Sequence, residues 1–261
     1  MPTPNSAESA TNGGARTIEA ASISLETLTA DELRQMERAG HLAIECEDAL
    51  AATDHNVVSE VLEHQGDFVE WRHYPKGDVF DTKSHSQFYY HAHPPDERVD
   101  GEHGHFHTFV HGAGIAKRHK PIPLSEATSS GKRPKRLCHV IGISMDVYGQ
   151  AFRLFTTNRW VTGETWFAAE DAVPIAEGFE IAHTKPSWPA NRWITAMVAT
   201  YRPHIAALIG VRDEVVARWS KRHPQQNVYE DKRLNVISQM WISLDQHVDA
   251  VEAALADKRP A

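Results

Sequence analysis

Seven of the chain's 17 histidines fall between residues 85 and 111, and all seven stand at odd positions: His85, His91, His93, His103, His105, His107 and His111. In a β-strand, side chains two apart point the same way. A random scatter over two faces would put all seven on one side about one time in sixty, by that alternation alone. The even positions between them, Phe88, Tyr90, Phe106 and Val110, are apolar. Two strands with a histidine face and an apolar face satisfy this pattern; a helix does not. Residues 94–102 then make the connection of a hairpin. If His93 stands opposite His103, then His91 faces His105, Tyr89 faces His107 and His85 faces His111. Directly opposed Cβ atoms are about 4.5–5.5 Å apart. Imidazoles at that spacing can converge on one ion.

The surrounding patterns extend this hairpin into a sheet. FVEWRHY (68–74) reads as a preceding strand with its turn at Pro75–Gly77. RLCHVIGISMDV, AFRLFTTN and RWVTGETWF read as strands that follow. No helix long enough for a parallel crossover separates them, so the sheet is expected to be antiparallel. Thr29 and Glu32 form a capping box, with a helix to about Ala52 and a shorter one from Asp54. Residues 191–219 read as helical, with a break at Pro203. Residues 234–257 read as a last helix with Val236, Met240, Leu244, Val248, Val251 and Leu255 on one stripe. The expected fold class is α+β: a central antiparallel sheet, open or closed into a barrel-like or jelly-roll-like form, between N-terminal and C-terminal helices. Residues 1–24 hold almost no large apolar side chains and read as a flexible tail. Residues 25–261 read as a single domain.

Composition excludes several classes. The chain has 35 acidic and 27 basic residues, a net charge of −8, which does not draw duplex nucleic acid to it as a whole. Cys46 and Cys138 are its only cysteines, too few for a disulfide scaffold, a zinc ribbon or an iron–sulfur cluster. No apolar run approaches the length of a membrane span. A soluble, cytoplasmic protein is expected. The segment Lys117–Arg136 carries seven Lys or Arg against the single acid Glu126 and reads as an exposed basic loop.

The histidines themselves point to a divalent transition metal. HxH followed by HxHxH on adjacent strands offers His91, His93, His105 and His107 as ligands, with His103, His85 and His111 in reserve or for a second ion. Imidazole suits iron, copper, nickel and zinc, and no thiolate favours zinc. The aromatic surroundings of Tyr89, Tyr90, Phe106 and Phe109 favour iron or copper. Carboxylates within reach are Asp96, Glu97, Asp100 and Glu102, and Asp78 or Asp81 could accept from imidazole N–H groups. Arg159 could clamp an anionic substrate, with a hydrogen-bonded turn as the plainer role. His139, among apolar neighbours, reads as a core histidine. Glu37, His41 and Glu45 share a helix face that reads as solvated. These readings lead to a metal-dependent oxidoreductase or oxygenase acting on a small molecule. The alternatives are a zinc hydrolase and a non-enzymatic metal-binding or delivery protein.

The segment His91-Ala-His93-Pro-Pro-Asp-Glu97, with Gly104 seven beyond the glutamate, resembles the first cupin motif over 14 residues. That resemblance implies a jelly roll and a metal held by the two histidines and the glutamate. Over most of its length the chain is similar to an uncharacterised bacterial family carrying the strings HSQFYYHAHP, EHGHFHTF and LFTTNRWVTGETW, a resemblance that implies no stated activity.

Overall fold

The structure, a computed structural model, describes residues 14–124 and 136–258. Its centre is a seven-stranded open sheet in the order β1-β7-β6-β5-β4-β3-β2. The strands are β1 (Arg16–Thr17), β2 (Tyr74–Phe80), β3 (Ser86–His91), β4 (Glu102–His111), β5 (Leu137–Asp146), β6 (Ala151–Thr157) and β7 (Val236–Trp241). From β2 to β6 consecutive strands pair antiparallel, as the lack of crossover helices required. β7 returns antiparallel to β6 after four helices, and β1 joins β7 in parallel. The fold is α+β, but the sheet does not close. The barrel and jelly-roll forms, and with them the cupin expectation, are therefore corrected: β2 and β1 remain as separate edges.

The helices are α1 (Ala30–Ala51), α2 (Val57–Leu62), α3 (Arg159–Thr162), α4 (Ala169–Ala176), α5 (Trp188–Thr200), α6 (Arg202–Arg222) and α7 (Leu244–Ala256). Thr29 and Glu32 cap α1 reciprocally, the Thr29 amide donating to Glu32 at 2.8 Å and the Glu32 amide to Thr29 Oγ1 at 3.2 Å. α5 and α6 meet at a 68° bend. Pro203 lies in the first turn of α6, where its missing N–H costs nothing. The even face of the hairpin buries Phe88, Tyr90 and Phe106 against α5, with the Phe106 and Trp193 rings 5.7 Å apart. No single helix among the described residues is long and apolar enough to cross a membrane.

Four expectations shift. Residues 68–73 form no strand; β2 starts at Tyr74 and runs through Pro75–Gly77, which an edge strand tolerates because its outer donors need no partner. RWVTGETWF opens instead with the short helix α3, capped by Asn158 and ended by Gly163 in the left-handed conformation (φ 65°). Val236–Trp241 is a strand, not the start of the last helix; Ser243 caps α7 only after it, accepting from the Gln246 amide. The tail expected over 1–24 is shorter at its far end, since Arg16 and Thr17 pair with Ser238 and Gln239. Residues 1–13 lie outside the described residues, as does most of the basic loop, at 125–135.

Candidate metal centre

The hairpin pairs in the expected register, His91 opposite His105 and Tyr89 opposite His107. Both rings of the first pair are buried, and His91 Nε2 stands 2.8 Å from His105 Nε2. His93, just past the end of β3, turns its ring toward the same point. One nitrogen from each of His91, His93 and His105 lies within 4.8 Å of the other two. Neighbouring nitrogens on an ion with bonds of 2.0–2.1 Å stand roughly 3 Å apart. The three rings are close to a shared coordination face.

Glu102 sets the chemistry of His105. Its Oε1 accepts from His105 Nδ1, its Oε2 from Arg153 Nη2 at 2.8 Å and from Ser144 Oγ at 3.3 Å. Burial opposes the charge on this carboxyl, yet His105, Arg153 and Ser144 outweigh it and hold the group down at about 2. A carboxylate that stays ionised can only accept, so His105 Nδ1 is the donor and Nε2 is the nitrogen turned toward the other rings. This is the carboxylate–histidine brace that fixes tautomer and orientation in metal sites. The two rings beside it are kept neutral. Burial, reinforced by the neighbouring imidazoles, lowers His91 to about 2 and His93 to about 4. Neutral imidazole is the form that binds a metal.

His107 is buried deeper. Burial first, then His105 and His139, keeps it well below the ordinary histidine range. Its Nδ1 shares a hydrogen bond with Nε2 of His139 at 3.0 Å. The core histidine of the sequence reading therefore belongs to the cluster, one step behind the converging group. His139 is held at about 3 by burial and Arg212, and its backbone N–H donates to buried Glu164 at 2.7 Å. Phe155 closes this side, its ring edge-on to His105 at 5.2 Å. It lies over Gly142, where any Cβ would come within 2.4 Å of the ring. His93 is stacked by Trp71 at 4.2 Å, and its Nδ1 lies 3.9 Å from Glu97. The cleft bordered by His93, Glu97, Arg98, His105 and Phe155 holds about 50 Å³ of free space, room for a few waters or a molecule of similar size.

Four of the seven histidines stand outside the converging three: His107, expected among the first ligands, lies one step behind, and the other three point elsewhere. His103 faces the other side of the sheet, where it bonds Tyr90 Oη at 2.7 Å and stacks on Phe68. His85 precedes β3 with a left-handed backbone (φ 59°), so strand alternation does not apply to it. His111 donates to Gln87 Oε1 and contacts Phe80, beyond Tyr89 and Phe109 from the cluster. The backbone does join the hairpin ends as expected, His111 N donating to His85 O at 2.8 Å. The reserve positions are thus corrected.

The sequence reading overlooked His73. It lies flat on Tyr89, ring centres 3.6 Å apart, edge-on to His91, and bonds Asp78 at 3.1 Å. Asp78 accepts from an imidazole as foreseen, though not from one of the converging three. Asp81 takes a turn role, accepting from the Lys83 and Ala182 amides. Arg159 is buried on Glu230 and the Glu164 carbonyl, away from the cleft. His41 pairs with Glu252 at 2.9 Å on an exposed face, as a solvated helix surface would.

A family described as a domain of unknown function (DUF6969) matches residues 37–242. The chain belongs to that family. The DUF6969 span contains every residue of the centre, from His73 to Phe155. Comparison with curated proteins and with solved structures finds no match.

Proposed function

We propose that this DUF6969 protein is a metal-dependent enzyme. A single transition ion, iron or copper, is held by His91, His93 and His105 and acts on a small molecule reached through the cleft. One observation carries the reading: three imidazoles converge within 4.8 Å, two of them held neutral by burial and the third braced by an ionised, buried carboxylate. Three protein ligands leave positions open for exchange, which is what a catalytic rather than a structural site needs.

Two details favour redox chemistry over zinc hydrolysis. Hydrolysis at a metal calls for a free base on the cleft. Of the two carboxylates there, Glu102 is already committed to His105, Arg153 and Ser144, and Glu97 stands on the rim against His93, 3.9 Å from its Nδ1. The cleft is also small, with the Phe155 ring on its wall, which suits a ligand of a few atoms such as dioxygen. Delivery of several ions fits less well, because the other groups of converging donors among the described residues are more exposed and rest on acidic side chains.

Elemental analysis of protein purified without a histidine tag tests the proposal. One iron or copper per chain is expected, with the ion lost in His91→Ala and in His105→Ala. One zinc per chain would replace the redox reading with hydrolysis. No ion after reconstitution, or binding indifferent to both substitutions, removes the metal reading altogether.

A further inference from the structure

A second cavity, of about 490 Å³, opens between residues 20–25, α6 and the junction of β7 with α7. That volume is within the range of small-molecule sites. Ile23, Leu25, Trp241 and Ile242 give it apolar walls, and no Lys, Arg, Asp or Glu among the described residues lines it. Its floor is polar. Tyr201 and His204 are 1% and 3% exposed, and Tyr201 Oη and His204 Nδ1 have no hydrogen-bond partner. Only five buried side-chain atoms among the described residues are left so, and two of them belong to this one cavity. An unsatisfied buried polar group costs about 1–3 kcal/mol, so a pair in one hollow asks for an occupant.

The chemistry of that occupant follows from the two groups. Burial, then the neighbouring His247, keeps the His204 ring neutral, at about 3. A neutral imidazole that donates through one nitrogen offers a lone pair on the other. Tyr201 keeps its proton: burial first, then Glu47 and Asp245, push its hydroxyl up. The floor therefore presents one donor and one acceptor. Glu47 and Asp245 lie near enough to disfavour an anion there, and a cation would find no carboxylate in the lining.

We propose that this cavity binds an uncharged small molecule with an apolar body and a hydroxyl group, the hydroxyl accepting from Tyr201 Oη and donating to His204 Nδ1. The site stands apart from the histidine centre and does not depend on a metal there.

Ligand-observed NMR titration of the full chain with p-cresol, 4-methylcyclohexanol, toluene and p-toluate tests it. The two hydroxyl compounds should bind saturably and compete with each other. Toluene should bind at least fivefold more weakly, the scale of one hydrogen bond, and p-toluate not measurably. Tyr201→Phe removes an unpartnered hydroxyl, so its melting temperature should not fall, while its affinity for p-cresol should drop to that for toluene. Trp241→Ser, on the exposed rim, should weaken all the binders. Equal binding of toluene and p-cresol, preference for the carboxylate, binding that neither variant weakens, or no saturable binding at all would each overturn the proposal, the last leaving a cavity that holds water only.

Discussion

Acidification should unfold the metal-free protein at a pH where most domains are still near their best. His91, His93, His139 and His204 have folded-state values of about 2, 4, 3 and 3, and His107 lies well below its ordinary value, in each case chiefly through burial. Histidine in an unfolded chain titrates near 6.5, so below that pH the unfolded state takes up protons that the folded state refuses. Stability is therefore complete above about 6.5 and is lost as pH falls. Between pH 7 and 5.5 each such residue costs about 1 kcal/mol, so roughly 5 kcal/mol for the five. Glu164 works the other way. Burial raises it to about 7, so the folded state holds its proton first and regains part of that loss over the same range. Glu102 is held at about 2, so its share is lost only in stronger acid. The net loss is several kcal/mol, comparable with the whole stability of a marginal domain. Urea midpoints of chelator-treated protein at pH 7, 6.5, 6 and 5.5 would measure it. The double variant His91→Asn/His93→Asn should shrink the loss by about 2 kcal/mol, its share by the same reckoning. A loss under about 1 kcal/mol in the parent, or an unchanged slope in the double variant, would show that these rings accept protons in the fold and refute the reasoning.

Three substitutions probe other links. Glu102→Gln keeps a similar shape but no longer fixes the tautomer of His105; it should lower metal affinity about 10–100-fold in competition with a chelator, and an unchanged affinity would mean that Glu102 serves Arg153 alone. Gly104→Ala places a Cβ 2.6 Å from both the His91 carbonyl oxygen and Tyr90 Oη, so it should cost about 1–3 kcal/mol in thermal unfolding and weaken metal binding with it. Thr29→Ala removes one half of the α1 capping box and should cost about 1 kcal/mol while leaving metal stoichiometry untouched, a control for loss of stability without damage to the site.

What the sequence showed of the fold was what local rules decide. The TxxE box located the start of α1, the absence of crossover helices made the meander antiparallel, and the alternation on each side of the connection put His91 and His105 on one face of the hairpin. What it hid depends on position in the finished sheet. β2 contains a proline and a glycine, which read as a turn until one knows that the strand lies on an edge. Val236–Trp241 has its apolar residues at a spacing shared by helix and strand, and only pairing with β6 decides between them. His73 left no mark: it comes from an irregular segment, and the ring reaches the cluster only because Tyr89 offers a flat face.

The candidate site turns on one irregularity. The sequence argument let strand alternation run unbroken from His103 to His111, which put His103 with the ligands and left Glu102 in the connecting loop, one of four carboxylates within reach. In the structure the pairing of β4 with β5 slips between Glu102 and Gly104, Glu102 standing opposite Asp146 and Gly104 opposite Met145. One extra residue reverses the parity on its N-terminal side. Glu102 thereby joins the odd face and bonds His105, while His103 crosses to the even face and bonds Tyr90. A single bulge thus accounts both for the ligand that was expected and lost and for the choice of Glu102, out of the four carboxylates within reach, as the partner of His105. The clue was present in Gly104, since a glycine inside a strand often marks a bulge or a close backbone approach. Here it marks both, for the His91 carbonyl oxygen occupies the space a side chain at 104 would need. A strand without the bulge would offer more histidines on one face and no carboxylate to brace them. The chain gives up one imidazole for the group that holds another in its binding form.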